Sequence, residues 1–220
     1  MNTSLKTILA RRLIPVVTPA DAVTAAPLAE ALVAGGLPLA EITLRSPAAI
    51  KAIAVMVRRG DMIVGAGTVL TVGQAQQALA AGAQFLVSPG FDPEMVRYCH
   101  DRKIPYLPGV STPTEIQTAL SSGVDTLKFF PAEAFGGCRT LKAVGAPYPS
   151  VRFVPTGGIA ADNLAGYLQL PQVAACGASW LVSEDLVAAG RFEDIRQRVV
   201  AALKIVAEVG YSGVQAGCGG

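Results

Sequence analysis

One lysine stands inside a run that otherwise has the composition of a buried strand. Lys128 lies in the segment Asp-Thr-Leu-Lys-Phe-Phe-Pro-Ala, and the two-residue period of a strand places Lys128 and Phe130 on one face, opposite Leu127. If the Lys128 face points into the protein, loss of water favours the neutral amine, which can attack a carbonyl carbon. The alternative is a lysine that extends from the strand end into solvent. The neighbouring phenylalanines and Pro131 favour burial.

A second run carries polar side chains where a buried strand would carry aliphatic ones. In Glu-Ile-Thr-Leu-Arg, alternation aligns Glu41, Thr43 and Arg45 on one face. Arg45 comes last, where its guanidinium could hold a carboxylate through two parallel hydrogen bonds. Glu41 lies deeper along the strand, where it can take up and return protons beneath a substrate. The alternative is a structural Glu–Arg ion pair.

Glycine-rich turns follow two of the later runs. Val-Pro-Thr-Gly-Gly-Ile reads as a strand, a turn and a helix start, and Gly-Ala-Ser at 177–179 ends the next run. Gly157 and Gly158 allow the backbone to approach an anion, and backbone N–H groups at a helix start favour phosphate. Two consecutive glycines alone usually form only a turn, so their position within the fold carries the prediction.

Three other strand ends carry hydroxyl groups next to helix starts. Thr68 ends Gly-Ala-Gly-Thr and is a candidate for binding a carboxylate, with a simple helix cap as the alternative. Ser46-Pro47 and Thr112-Pro113 each resemble a cap followed by proline, and Thr112 with Glu115 predicts a capping box. We therefore expect caps, and no catalytic role, at Ser46 and Thr112.

The candidate site residues lie in or next to eight short β-branched runs, which alternate with alanine-rich helical stretches. Repeated strand-then-helix units predict a parallel sheet with right-handed crossovers, and eight units in 220 residues predict a single (β/α)8 TIM barrel with an N-terminal helix. An open doubly wound sheet is the structural alternative. We expect one domain over residues 1–220, with a closing helix over 191–208 and a loose tail over 211–220. The runs lie at 13–18, 40–45, 62–68, 84–88, 105–109, 125–130, 152–157 and 173–179.

Composition removes several classes of function. Apolar residues make up 51% of the chain, charged residues 15%, and the net charge is +2, so neither disorder nor a nucleic-acid or membrane partner is indicated. The four cysteines lack Cys-x-x-Cys spacing, which favours reduced thiols in a cytoplasmic protein. A single histidine, expected at the surface, makes a zinc site or a Ser-His-Asp triad improbable. No secretory signal or apolar stretch of ~18 residues is visible.

Taken together, the residues predict a barrel enzyme with a buried lysine, one carboxylate, one arginine and a phosphate-binding turn. That combination suits imine chemistry on a small phosphorylated 2-keto acid. No metal and no cofactor is expected, because the lysine itself would form the covalent intermediate.

The motifs also resemble those of a known family, the bacterial 2-keto-3-deoxy-6-phosphogluconate (KHG/KDPG) aldolases. The resemblance covers nearly the whole chain. It rests on Glu-Ile-Thr-Leu-Arg at 41–45, Gly-Ala-Gly-Thr-Val at 65–69, Ser-Pro-Gly at 88–90, Leu-Pro-Gly-Val-Ser-Thr at 107–112, Leu-Lys-Phe-Phe-Pro-Ala-Glu at 127–133, Pro-Thr-Gly-Gly-Ile at 155–159 and Gly-Ala-Ser-Trp-Leu-Val at 177–182. Ala178 departs from the family, which commonly has a second glycine there, and Phe135 stands where asparagine is frequent.

The resemblance implies a class I aldolase of the Entner–Doudoroff pathway. It would cleave 2-dehydro-3-deoxy-6-phosphogluconate to pyruvate and glyceraldehyde 3-phosphate, and would also act on 4-hydroxy-2-oxoglutarate. It further implies a cytoplasmic homotrimer. By this resemblance, Lys128 would form the Schiff base and Glu41 would transfer protons through a water. Arg45 and Thr68 would bind the carboxylate, and Phe130 would pack on the pyruvyl group. The pocket would be lined by Pro89 and Thr156, and the phosphate would be bound by Gly157, Gly158 and Ser179.

Three alternatives stay open at this point. A metal-dependent aldolase or epimerase on the same fold would need histidine ligands, and the chain has one histidine. A 2-dehydro-3-deoxy-6-phosphogalactonate aldolase would act on a substrate that differs only in one sugar hydroxyl, and the sequence discriminates poorly between the two substrates. A non-catalytic sugar-phosphate binding protein would have no need for both Lys128 and Glu41.

Overall fold

The structure is a computed structural model that describes residues 4–216, with side chains described for residues 4–210. Strands and helices alternate along the chain. The strands are β1 (Leu13–Val17), β2 (Leu39–Thr43), β3 (Ile63–Gly67), β4 (Leu86–Val87), β5 (Tyr106–Leu107), β6 (Gly109–Val110), β7 (Thr126–Phe129), β8 (Arg152–Pro155) and β9 (Cys176–Ala178). The helices are α1 (Leu5–Leu9), α2 (Ala25–Ala34), α3 (Ala49–Val57), α4 (Val72–Ala80), α5 (Pro93–Asp101), α6 (Pro113–Ser121), α7 (Gly137–Gly145), α8 (Leu164–Leu168), α9 (Glu184–Ala188) and α10 (Phe192–Ala216).

The strands form a curled parallel sheet with helices between successive strands. One part has the strand order β5-β4-β3-β2-β1-β9, and a second part has the order β6-β7-β8. The pairings along both parts are parallel. Parallel bridges from Phe153 to Val173 and from Thr156 to Gly177 join the β8 side to the β9 side. Each of the eight predicted runs overlaps a strand, and the run at 105–109 contains β5 and the start of β6, separated by Pro108.

The face of the sheet that contacts the helices is apolar, because the helices bury it. Every residue of β1 and β2 is buried. On β7, Phe129 points away from Lys128 and packs edge-on against Phe153 of β8, with the ring centroids 6.3 Å apart. The side of the sheet opposite these rings carries the polar residues of the candidate site.

The helix caps agree with prediction at Thr112 and differ at Ser46. The Thr112 hydroxyl accepts from the Glu115 N–H, and the Glu115 carboxylate accepts from the Thr112 N–H at 2.8 Å, so the predicted capping box is confirmed. The Ser46 hydroxyl instead donates to the Pro19 carbonyl at 2.5 Å, and α3 begins only at Ala49. The cap predicted at Ser46 is therefore wrong, because that side chain joins two loops.

The final helix is longer than the sequence predicts. Helix α10 runs from Phe192 to Ala216, so residues 211–216, which we expected to be a loose tail, continue it. The helix packs against α2, where Val199 lies against Gly35, and a helix fixed by packing extends readily at its end. Residues 217–220 of the predicted tail lie outside the described residues. Within residues 4–216, no helix is both long and apolar enough to span a membrane.

Candidate active site

A buried ion pair joins two strands that are far apart in the sequence. Lys128 Nζ of β7 lies 3.4 Å from Glu41 Oε1 of β2, and the two residues are only 5% and 2% exposed. Lys128 Nζ also lies 5.2 Å from the centroid of the Phe130 ring. Lys128 is thus buried as predicted and does not extend into solvent. Its amine has an acid–base partner within hydrogen-bond distance in a site largely closed to water.

Glycines on β3 provide the space for the Glu41 side chain. A Cβ atom at Gly67 would lie 2.2 Å from Glu41 Oε1, far inside van der Waals contact. At Gly65, directly opposite Glu41 in the register, a Cβ would lie 2.3 Å from the Phe85 ring. The Gly-Ala-Gly sequence of β3 therefore leaves room for a carboxylate that a side chain at position 67 would displace.

Arg45 belongs to a hydroxyl network rather than to an ion pair with Glu41. One of its terminal nitrogens donates to Thr18 Oγ1 at 2.8 Å, and its Nε lies 3.4 Å from Thr43 Oγ1. The two threonine oxygens are 3.1 Å apart. The alternative of a structural Glu41–Arg45 pair is wrong, because Glu41 reaches across the sheet to Lys128.

Arg45 is exposed at the rim of an open cavity of about 450 Å³. The same cavity is bordered by Thr18 and by Ser179, which follows β9. A guanidinium at one side of the cavity and a hydroxyl at another suit a molecule with an anionic group. The structure therefore brings Arg45 and Ser179, predicted from separate motifs, to a single cavity.

Thr68 adopts a backbone conformation that is rare for a β-branched residue. Its φ is 55°, in the left-handed region. Flanking hydrogen bonds hold it there: the Val69 N–H donates to the Val87 carbonyl at 3.1 Å, and Ser88 Oγ donates to the Val69 carbonyl at 2.6 Å. Such strain persists where surrounding contacts fix it, and functional sites are enriched in it.

A buried tyrosine supports this turn from one strand further away. The Tyr106 hydroxyl donates to Ser88 Oγ at 2.9 Å, and burial raises the pKa of Tyr106 well above its usual value. Tyr106 therefore stays a hydrogen-bond donor across the physiological range. Pro89, the next residue after Ser88, borders a second cavity of about 230 Å³ together with Phe91 and Met95.

The Thr-Gly-Gly turn follows β8 in the expected place. Thr156 is 7% exposed, and Gly157 and Gly158 have φ values of 99° and 78°, which residues other than glycine rarely adopt. A Cβ at Gly157 would lie 3.4 Å from the Phe130 ring. The turn therefore sits directly beside the strand end that carries Lys128.

Ala178 lies on the face of β9 that packs into the core. A Cβ at the preceding Gly177 would lie 2.3 Å from Thr156 Oγ1, so position 177 faces Thr156 and position 178 faces the helices. Ala178 is fully buried in the apolar core. Its extra methyl group therefore points away from the Thr-Gly-Gly turn.

Sequence reasoning missed three contributors to this region. Thr18 directly follows β1 and accepts a hydrogen bond from Arg45, a position that the convergence of parallel strand ends would have indicated. Tyr106 gives no local sign of its bond to Ser88. Glu133, inside the quoted 127–133 motif, accepts a hydrogen bond from the buried Tyr167 hydroxyl, a contact that depends on tertiary structure.

Other reactive side chains lie away from the cavity or are shielded. The His100 side chain is 87% exposed, as expected for a surface residue. Cys99 and Cys176 are buried and Cys138 is half-buried, all as free thiols. Cys218 lies outside the described residues. Across residues 4–216, no group of three or more His, Cys, Asp and Glu side chains could hold a metal ion.

Most of this chain matches a known protein family and its members in sequence. Residues 5–198 match the family described as KDPG and KHG aldolase. A 2-dehydro-3-deoxy-phosphogluconate aldolase of Treponema pallidum is 50% identical over 196 residues, which cover 89% of this chain and 93% of that relative.

Two solved structures have closely similar backbones. The KDPG aldolase of Legionella pneumophila, with pyruvate captured as a covalent carbinolamine, has a TM-score of 0.88 at 41% identity and covers 92% of this chain and 99% of its own. The corresponding aldolase of Zymomonas mobilis, with 3-phosphoglycerate, has a TM-score of 0.83 at 38% identity and covers 90% of this chain and 94% of its own.

Proposed function

This chain belongs to the KDPG and KHG aldolase family, and from that premise we propose which of its residues carry the reaction. It is a carbon–carbon lyase. The reaction cleaves 2-keto-3-deoxy-6-phosphogluconate to pyruvate and glyceraldehyde 3-phosphate. We propose 4-hydroxy-2-oxoglutarate as a second substrate, because a solved relative at 42% identity is a 4-hydroxy-2-oxoglutarate aldolase as well. The observation that carries the assignment of residues is the buried Lys128 amine 3.4 Å from the Glu41 carboxylate.

Lys128 is proposed as the nucleophile. Its neutral amine attacks the C2 carbonyl of the substrate to give a carbinolamine, which loses water to form an imine. The protonated imine accepts the electron pair of the C3–C4 bond as that bond breaks, while the C4 hydroxyl loses its proton and becomes the aldehyde. Protonation of the resulting enamine at C3 and hydrolysis of the imine release pyruvate and restore Lys128. The carbinolamine captured in the Legionella relative supports this sequence.

Glu41 is proposed as the group that moves protons in these steps. Carbinolamine formation, dehydration, cleavage and enamine protonation each transfer a proton close to the nitrogen. Glu41 Oε1 lies 3.4 Å from Lys128 Nζ, and we propose that one water carries protons between this carboxylate and the C4 hydroxyl. The amine also supplies the electron-accepting imine, so we propose no metal and no cofactor.

The remaining residues are proposed to bind the two anionic ends of the substrate, its carboxylate and its phosphate. Arg45 and Thr68 are proposed to bind the carboxylate, and Phe130 to pack on the pyruvyl group. Arg45 has the geometry for this role because its guanidinium already donates at the cavity rim. Pro89 and Thr156 are proposed to line the pocket.

The phosphate is proposed to bind at the Thr-Gly-Gly turn and at Ser179. Gly157 and Gly158 offer a backbone turn without side chains, and Ser179 adds a hydroxyl at the cavity. The 3-phosphoglycerate in the Zymomonas relative supports a phosphorylated ligand. The inward burial of Ala178 supports an unobstructed turn despite the family's preference for glycine.

The finer architecture is also proposed. β5 and β6, interrupted at Pro108, would act as one strand, and the bridges of Thr156 and Phe153 would close the sheet into an eight-stranded barrel. We further propose a homotrimer in the cytoplasm, with a small phosphorylated 2-keto acid as the ligand. Light scattering of the purified protein measures the trimer directly, and a monomer would contradict it.

Borohydride trapping tests the nucleophile. Reduction in the presence of pyruvate is expected to add the mass of the reduced adduct to the peptide that contains Lys128. Lys51, Lys103 and Lys142 are exposed and serve as internal controls; labelling at one of them instead would overturn the assignment. Activity is expected to survive EDTA. Loss that zinc restores would favour the metal-dependent alternative.

A further inference from the structure

We propose that Glu133 and Tyr167 are positioning residues that fix the Thr-Gly-Gly turn and thereby set the preference for a phosphorylated substrate. The inference rests on the proposed function, because it takes the phosphate to bind at Gly157 and Gly158. Neither side chain is assigned a role in bond making. They act through the shape of the turn.

Backbone hydrogen bonds tie the segment after β7 to the turn after β8. The Ala132 N–H donates to the Thr156 carbonyl at 2.8 Å, and the Glu133 N–H donates to the Gly157 carbonyl at 3.0 Å. The segment begins four residues after Lys128. The nucleophile and the phosphate-binding turn are therefore connected through a short stretch of chain.

The Glu133 side chain fills the space beside both flanking glycines. A Cβ at Gly158 would lie 2.5 Å from Glu133 Cβ and 2.6 Å from its Cγ. A Cβ at Gly137 would lie 2.8 Å from Glu133 Oε1. The aliphatic part of Glu133 thus packs on Gly158, while its carboxylate lies on the Gly137 side.

Tyr167 holds that carboxylate in place. Tyr167 lies on α8, is fully buried, and donates its hydroxyl proton to Glu133 Oε1. Burial, together with the Glu133 carboxylate, raises the pKa of Tyr167, so it remains a donor. On the other side of the turn, Asn163 Nδ2 donates to the Gly158 carbonyl at 3.0 Å.

The charge of Glu133 explains why a fixed orientation matters. A carboxylate free to swing toward Gly158 would repel a phosphate there. The Tyr167 hydroxyl keeps the charge turned away and keeps the aliphatic part against the turn. Loss of this bond would therefore weaken binding of a phosphorylated substrate without affecting chemistry at Lys128.

Three variants test the pair. Tyr167→Phe removes the donor. Glu133→Ala removes both the acceptor and the aliphatic part that packs on Gly158, and Glu133→Gln keeps that part and an acceptor of the same size. The KM for 2-keto-3-deoxy-6-phosphogluconate is expected to rise about two- to tenfold in the first two variants, as for loss of one hydrogen bond. In Glu133→Gln it is expected to stay near the wild-type value. The rate of borohydride trapping with pyruvate, which has no phosphate, is expected to stay unchanged in all three.

The outcomes separate this inference from the proposed function. Unchanged KM in both Tyr167→Phe and Glu133→Ala, with normal pyruvate trapping, would overturn the inference alone. Equal losses in KM and trapping would also overturn it, because they indicate a general structural defect. Absence of trapping at Lys128 in the wild-type protein would overturn both proposals. If Tyr167→Phe does not fold, the comparison of Glu133→Ala with Glu133→Gln decides.

Discussion

The Glu41 carboxyl group and the Lys128 amine lie 3.4 Å apart where bulk water does not reach them. Replacing Glu41 by Gln keeps the shape of the side chain and its hydrogen-bonding capacity but removes the carboxylate that we propose to accept protons. General acid–base help contributes roughly 10²–10⁴-fold, so kcat is expected to fall by about that factor. Pyruvate binding, which we propose to depend on Arg45 and Thr68, is expected to change far less.

Steady-state kinetics and pyruvate titration measure the two effects separately. Glu30→Gln is the matched control, since Glu30 is exposed on α2 and does not line the cavity that Arg45 borders. Near-normal turnover in Glu41→Gln would show that another group or bulk water moves the protons. Circular dichroism confirms that the variant is folded, because an unpaired buried lysine is itself destabilising.

The positive φ of Thr68 allows a comparison between two substitutions. Thr68→Ala and Thr68→Gly both remove the hydroxyl, and both are expected to raise the KM for the substrate to a similar extent. Only glycine relieves the left-handed conformation, which costs an L-residue about 1–2 kcal/mol. Thr68→Gly is therefore expected to be about 1 kcal/mol more stable than Thr68→Ala in urea unfolding. The reverse order, which is usual at extended positions, would contradict a strained backbone here.

At the scale of the elements, β3 controls the position of Glu41. Gly67→Ala places a Cβ 2.2 Å from the present position of Glu41 Oε1, so the carboxylate must leave the position in which it contacts Lys128. We expect kcat to fall toward the level of Glu41→Gln, although no chemical group of the reaction is removed.

Gly73→Ala is the control for this substitution. Gly73 lies in α4, where a Cβ would meet only Thr71 Oγ1, at an ordinary 3.8 Å. There alanine is expected to leave kcat unchanged and to stabilise the helix by up to about 1 kcal/mol. Full activity in Gly67→Ala would mean that Glu41 has a second productive position.

The elements were largely predictable because each carries its signal locally. Alternation along β2 and β7 placed Glu41 and Lys128 on the inner faces of their strands, and the two glycines after β8 predicted a turn there, while its phosphate-binding role depended on its position in the fold. The Lys128–Glu41 contact was not predictable, since alternation within one strand contains no information about which strand lies opposite. The same limit applies to Ser46, whose hydrogen bond to Pro19 links two separate loops.

The whole molecule encloses titratable groups in its core, and this gives a stability that depends on pH. Burial raises the pKa of the Cys99 and Cys176 thiols to about 12, from 9.0 for an exposed thiol. Burial also raises the pKa of Tyr106. In the unfolded chain these groups lose their protons near their ordinary values, whereas in the folded protein they stay neutral.

The direction in which stability changes with pH follows from the number of protons that each state binds. Between about pH 9 and pH 12 the folded protein binds more protons than the unfolded chain, so the free energy of unfolding falls as the pH rises. Each thiol contributes at most about 1.4 kcal/mol per pH unit. Below pH 9 these groups are protonated in both states, and their contribution to stability is constant. Urea unfolding under reducing conditions at successive pH values is expected to show a plateau and then a decline.

The double variant Cys99→Ala/Cys176→Ala isolates the thiols within this decline. It removes two groups that ionise only on unfolding, so its free energy of unfolding is expected to fall less steeply with pH than that of the wild type above pH 9. Val96→Ala is the control, because Val96 is buried on the same helix as Cys99 and carries no titratable group. That variant loses stability through the cavity it leaves, yet its curve is expected to run parallel to that of the wild type. Parallel curves for all three proteins would mean that the thiols ionise at similar pH in the folded and unfolded states, contrary to their burial in the core.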